Sequence, residues 1–224
     1  MSTVIDLEAD APEPLLHASV YEELRARFIM GKITPGAALS TRGLALELGV
    51  SQMPVRDALS RLAAEGAVRI RSKRRVEAPP MTEDRFADLL TCRLLLEPEA
   101  AVVALPHIGP AHQRRLAEID AAIDRAMEQG DVLAYMENNF AFHFSIYRAN
   151  GRPTLNRLIE TLWLQFGPWM RVVYGRYGTA SLVDQHQAAL TAIQAGDAEA
   201  LRAAIASDIS DGMGLIGASR WSEA

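Results

Sequence analysis

Apolar side chains recur at helical spacing along almost the whole chain, and alternate in one short stretch. Val20, Leu24 and Phe28 follow one another every fourth residue and predict an amphipathic first helix. Residues 41–61, TRGLALELGVSQMPVRDALSR, predict a short helix, a tight turn at Gly49 and a second helix. Leu44, Ala45 and Leu48 supply the packing face of the shorter one. In the longer one Val55, Leu59 and Leu62 face inward. Ser51 is placed to cap it, and Pro54 falls in the first turn, where a missing N–H costs little. Gly66 ends it as a left-handed cap. Over 68–78 the period becomes two: Val68 and Ile70 alternate with Arg69 and Arg71, as in a half-buried strand. Ser72-Lys73-Arg74 is the predicted tip of a hairpin returning through Val76. A helix-turn-helix followed by a basic hairpin is a winged helix.

Pro79-Pro80 makes a stiff spacer. Beyond it the pattern is helical. Thr82 caps a helix with Glu83 and Asp84 in its first turn, with Phe86, Leu89, Arg93, Leu96 and Ala100 on one face and a kink expected at Pro98. Gly109-Pro110 opens a second helix, ending at Gly130, and Asp131 caps a third, ending near Asn150-Gly151. A long apolar fourth spans 153–175, with an interruption expected at Gly167-Pro168. Residues 181–195 and 197–213 form a final antiparallel pair about Gly196-Asp197. The predicted fold is mainly α, an N-terminal winged helix-turn-helix domain followed by a C-terminal antiparallel six-helix bundle. The expected boundaries are a disordered tail over 1–14, the winged helix over 15–78, a linker over 79–81, the bundle over 82–215 and a flexible tail over 216–224.

Charge follows the same division. Residues 15–78 hold eleven basic and six acidic side chains, whereas 79–224 hold twelve and eighteen, and 1–14 hold four acids and no base. The whole chain carries −5, so a nonspecific coat on nucleic acid is disfavoured, and the confined positive segment is the footprint of a DNA-reading module. A length of 224 residues with 49% apolar content suits two modest domains. The single cysteine, Cys92, excludes a disulfide framework and reads as a buried small hydrophobe. No apolar run reaches ~18 residues and no signal pattern opens the chain, so a cytoplasmic protein without membrane contact is expected.

The partner implied by the first domain is duplex DNA. Gln52, Arg56 and Ser60 form an outer row on the second helix of the motif, with Ser51 and Met53 beside it and Arg42 at the start of the preceding helix. Lys73, Arg74 and Arg75 at the wing suit phosphate or minor-groove contact.

The bundle carries polar residues where apolar ones are expected. Met136, Phe140, His143 and Tyr147 share a face, with Asn139 one turn before His143. His186 shares a face with Ala189, Leu190 and Ile193, and Asp208 with Leu201, Ala204 and Ile205. Arg93, Asn139, His143, His186 and Asp208 therefore lie on apolar faces of four helices, and unpaired buried charge costs several kcal/mol. Two arrangements satisfy them. In one, Asn139, His143, His186 and Asp208 hold a divalent metal such as Zn, Ni or Mn, and Arg93 pins the carboxylate of a small organic acid bidentately, with Asn139, His143 and His186 also lining the acid's site. In the other they form an internal polar network without a ligand. His17, His107 and His112 read as solvated, and Trp163, Trp169 and Tyr174 as core or dimer contacts.

The pattern Gly36, Leu39, Ser40, then Val50, Ser51, Pro54, Val55, Arg56, Ala58, Leu59, Leu62, Glu65, Gly66 resembles the GntR-type regulators. The resemblance implies that Arg42 and Arg56 contact operator bases or phosphates. Gln52 stands where that family often has Arg, Met53 where it often has Thr, and the wing tip lacks the usual Gly, departures that bear on operator sequence. Residues 82–213 resemble the helical effector domain (FCD) of the FadR branch, through Arg93, Glu97-Pro98-Glu99-Ala100-Ala101, Asn139, His143, His186, Ala192-Ile193 and Gly196-Asp197. Metal-binding members hold the ion with Asp or Asn and three His; here Asp208 takes the last position.

The resemblance implies a homodimer on a pseudo-palindromic operator, most often a repressor, whose DNA affinity a small acid controls. Two other functions share the residues: a metal-dependent enzyme using His143, His186 and Asp208, and a dimeric scaffold without ligand. No nucleophile–base pair, phosphate loop or G-x-S-x-G elbow accompanies the enzyme alternative.

Overall fold

A computed structural model describes residues 13–35, 38–72, 75–177 and 185–218. The first domain is built from α1 (Glu13–Ile29), α2 (Thr41–Leu48), α3 (Gln52–Ala64), β1 (Arg69–Ser72) and β2 (Arg75–Glu77). Ser40 caps α2 by accepting from the Gly43 N–H, and Gly49 closes it in the left-handed region. Ser51 occupies the cap position of α3, but its side chain accepts no capping bond. Val20, Tyr21, Leu24 and Phe28 of α1 meet Val55, Ala58, Leu59 and Leu62 of α3 in the core, each at most 2% exposed.

The hairpin pairs Ile70 with Val76 and places a bulge between Ile70 and Ser72. Leu39 bridges the other side of Val76. Val76 is buried, while Ile70 is 48% exposed, contrary to the expected alternation. A two-stranded ribbon has no third layer to cover its outer face, so only the residue toward the helices is buried. The wing tip, with Lys73 and Arg74, lies outside the described residues, as do the side chain of Arg75, the tail before residue 13 and residues 219–224.

The second domain comprises α4 (Glu83–Ala104), a 3-10 turn, α5 (Pro110–Gln129), α6 (Val132–Arg148), α7 (Pro153–Tyr177), α8 (His186–Ala195) and α9 (Ala198–Ala218). These six α-helices pack as neighbours: α4 against α9, α5 against α6, and α8 against α9. Thr82 and Asp131 cap α4 and α6 as expected. α4 runs as one helix through Pro98. α7 also runs unbroken through Gly167-Pro168, where an interruption was expected. Gly167 serves close approach instead: its bare Cα lets α7 lie directly on the carbonyl end of α1. α9 continues to Ala218, beyond the expected start of a tail at 216.

Candidate functional site

Two groups of residues carry chemistry. The first is the outer edge of α3. Ser51, Gln52, Met53, Arg56 and Ser60 are all exposed, with Met53 at 55%, and Arg42 is exposed at the start of α2. Other basic residues of this domain are tied inward. Arg25 pairs with Glu160 at 2.8 Å, Arg27 with Glu23 and Glu47, and Arg61 lies over the Tyr21 ring at 3.5 Å. Asp57, next to Arg56, pairs with His17 at 3.0 Å, so His17 is not simply solvated. Cations on the reading edge thus stay available while those behind it anchor the domain.

The second group lies in the middle of the bundle. His143 of α6, His186 of α8 and Asp208 of α9 converge, with one ligand-type atom from each within 4.8 Å of the others. His143 Nε2 lies 3.0 Å from Asp208 Oδ2 and 3.4 Å from His186 Nε2, and His186 Nε2 lies 3.7 Å from Asp208 Oδ1. Asn139 is buried one turn before His143, and its Oδ1 has no hydrogen-bond partner among the described residues. Donors held ~2.1 Å from one ion at tetrahedral or octahedral angles stand roughly 3.0–3.4 Å apart; both contacts of His143 fall in that range, while His186 and Asp208, 3.7 Å apart, would have to move closer to share the ion. Two imidazoles, a carboxylate and an amide oxygen also fit a borderline divalent ion. Burial alone would raise the Asp208 carboxyl, but the hydrogen bond with His143 and the charges of His143, His186 and Arg93 outweigh it and hold it at about 2.

Arg93 has a partner within its own helix. Its Nε donates to Glu97 Oε1 at 2.5 Å and its Nη2 to Glu97 Oε2 at 3.2 Å, both residues being buried. The bidentate clamp is therefore closed on a carboxylate of its own helix. A buried guanidinium needs such a partner at all times, and one four residues along is always in reach. Arg93 still lines a cavity of about 20 Å³ together with Asn139, His143, Phe166, Met170 and Asp208. That volume suits an ion or a water, not an organic acid.

Several site residues carried no role in the sequence. Glu97 accepts from Arg93, Tyr147 and Trp163. The i, i+4 spacing from Arg93 was the available signal. Tyr147 bonds His143 Nδ1 at 3.0 Å and was visible only as a member of the same face. Asp120 of α5 lies 3.7 Å from His186 Nδ1. His112 is half-buried and bonds Ser145 at 2.8 Å, so it too has a protein partner. Cys92 is half-buried.

The model of the FCD domain matches residues 88–211, and that of bacterial regulatory proteins of the gntR family matches 16–77. The chain belongs to the GntR family, with an FCD domain. The HTH-type transcriptional regulator McbR of Escherichia coli is 29% identical over 194 residues, 85% of this chain and 88% of that one. The solved structure of E. coli McbR/YncC superposes with a TM-score of 0.84 at 28% identity, covering 89% and 96% of the two chains. The gluconate operon transcriptional repressor of Bacillus subtilis is 41% identical over 75 residues, 34% of this chain and 30% of its own. This member of the family is a DNA-binding transcriptional regulator, and the family is one of regulators, not enzymes. Among the described residues no helix is long and apolar enough to cross a membrane.

Proposed function

We propose that this regulator binds a pseudo-palindromic operator as a homodimer, acts as a repressor, and is controlled through its helical domain by a divalent cation and a small organic acid. The observation that carries the DNA half is the exposed edge formed by Ser51, Gln52, Met53 and Arg56, with Arg42 beside it. Neither arginine has an ion-pair or hydrogen-bond partner among the described residues. A two-fold operator calls for two such edges, hence two chains. Lys73, Arg74 and Arg75 would extend the contact along the phosphates. A protein that reads chromosomal DNA works in the cytoplasm.

The metal half is supported by the convergence of His143, His186 and Asp208 and by the unpartnered Oδ1 of buried Asn139. These four residues would hold Zn, Ni or Mn. A bound cation would neutralise the Asp208 carboxylate and could offer an open position to an acid. The acid would then be recognised by the cation and by the positive charge of Arg93, not by an Arg93 clamp. Its entry would widen the cavity at Phe166 and Met170 of α7. It would alter operator affinity only through its different affinity for the two states of the dimer.

The test is fluorescence anisotropy with fragments of the surrounding genome, at modest salt, on protein stripped of metal and then reloaded with Zn²⁺, Ni²⁺ or Mn²⁺. Saturable binding to one fragment, modulated by metal or by a panel of small carboxylates, is expected. Failure to bind any fragment overturns the operator assignment, and indifference to every metal and acid overturns the control.

A further inference from the structure

We propose that Glu97 and Tyr147 are positioning residues that fix the Nδ1-protonated form of His143 and so turn its Nε2 toward the candidate cation site. The value of this arrangement to a metal rests on the reading above; its geometry does not.

The inference follows from donors and acceptors. Glu97 is fully buried on α4, and among the described residues its carboxylate accepts from groups that can donate. Arg93 gives Nε and Nη2, and Trp163 of α7 gives Nε1 to Oε2 at 3.1 Å. Neither arginine nor indole can accept. Tyr147 Oη lies 3.0 Å from the same Oε2. Its single hydrogen must point there, because two oxygens carrying only lone pairs would repel at that distance.

With its hydrogen committed, Tyr147 presents lone pairs to His143 Nδ1, 3.0 Å away. That contact is attractive only if Nδ1 carries a proton. The remaining nitrogen, Nε2, faces Asp208 Oδ2 at 3.0 Å, to which it donates where no cation lies between them, and His186 Nε2 at 3.4 Å; a bound cation would take the place of that proton. A polar chain thus runs from Glu97 through Tyr147 to His143, each member no more than 1% exposed. An acceptor held against the far ring nitrogen orients a ligating imidazole and raises its basicity. Glu97 and Tyr147 reach the site without either one being a ligand.

Tyr147→Phe removes one oxygen and keeps the ring. In the full-length chain, long-range proton–nitrogen correlation of the histidine rings reads the protonated nitrogen directly. Zn²⁺ titration reads the consequence. The metal-free wild type should show a proton on His143 Nδ1, and the variant should lose it. Zn²⁺ affinity should fall by ~10–100-fold in the variant while its far-ultraviolet dichroism is unchanged. A wild-type His143 with a bare Nδ1 overturns the proposal, as does a variant with the Nδ1 proton and Zn²⁺ affinity intact. A wild type that takes up no Zn²⁺ defeats the metal reading alone, and the metal-free spectra then decide the relay. Should the variant not fold, the wild-type spectrum decides alone.

Discussion

A β-carbon built on Gly167 would stand 2.3 Å from the carbonyl oxygen of Phe28 and 2.4 Å from that of Ile29. The end of α1, in the DNA-reading domain, therefore lies against the backbone of α7 in the effector domain. The adjacent Phe166 lines the cavity. Around this contact Arg85 bonds both the Gly66 carbonyl and Gln165, and Arg171 bonds the Gly31 carbonyl. Gly167→Ala is expected to force α1 off α7. Backbone oxygens cannot rotate away as a side chain can, so overpacking should cost at least about 1–3 kcal/mol. Differential scanning calorimetry on the full chain checks it, and an unchanged melting temperature would show that the contact has slack.

Arg56→Ala should weaken operator binding by about 1–3 kcal/mol if the side chain reads a base. The fold should not notice, because Arg56 is exposed and has no hydrogen-bond or ion-pair partner among the described residues to lose. Anisotropy against operator and scrambled duplex separates the outcomes: equal loss on both sequences marks a phosphate contact, loss on the operator alone marks base reading.

His143→Ala should abolish bound metal measured by elemental analysis, while the protein still binds DNA, with the affinity of the metal-stripped wild type. Asp208→His should retain metal, since it replaces one ligand type with another. It should shift preference toward ions favouring imidazole over carboxylate. Competition between Ni²⁺ and Mn²⁺ reads the shift, and an identical ratio in wild type and variant would remove Asp208 from the ligand set.

Arg93→Ala should unfold or strongly destabilise the effector domain, by about 3–5 kcal/mol, because Glu97 would keep a buried charge without its guanidinium. Urea denaturation measures this. A variant of wild-type stability with only its response to acids blunted would instead restore Arg93 as a ligand clamp.

Asp208 sets an acid limit on the metal-free protein. Its carboxyl is held at about 2, below the ordinary 3.8, so the folded state binds the proton less readily than the unfolded one. That contribution to stability is present above pH ~4 and is lost as pH falls toward ~2. With chelator present, the melting temperature should drop more steeply between pH ~4 and pH ~2 in wild type than in Asp208→Asn. Parallel curves would mean that Asp208 gains nothing from its neighbours.

The spacing of Val55, Leu59 and Leu62, the glycines at 49, 130 and 196, and the caps at Thr82 and Asp131 speak through local geometry. For that reason the winged helix-turn-helix, the six-helix bundle and the outward row of Gln52 and Arg56 are legible in the linear chain. The same periodicity exposes Arg93, Asn139, His143, His186 and Asp208 as polar groups bound for the interior. It cannot say whom each one meets. Arg93 chose Glu97, Tyr147 linked Glu97 to His143, and Asp120 approached His186 because four helices brought them within bonding distance. Gly167 likewise looked like a break until the carbonyls of α1 lay upon it. Periodicity assigns a side chain to a face, whereas pairing inside a low-dielectric core depends on contacts between residues far apart in the chain, and these exist only once the helices have packed.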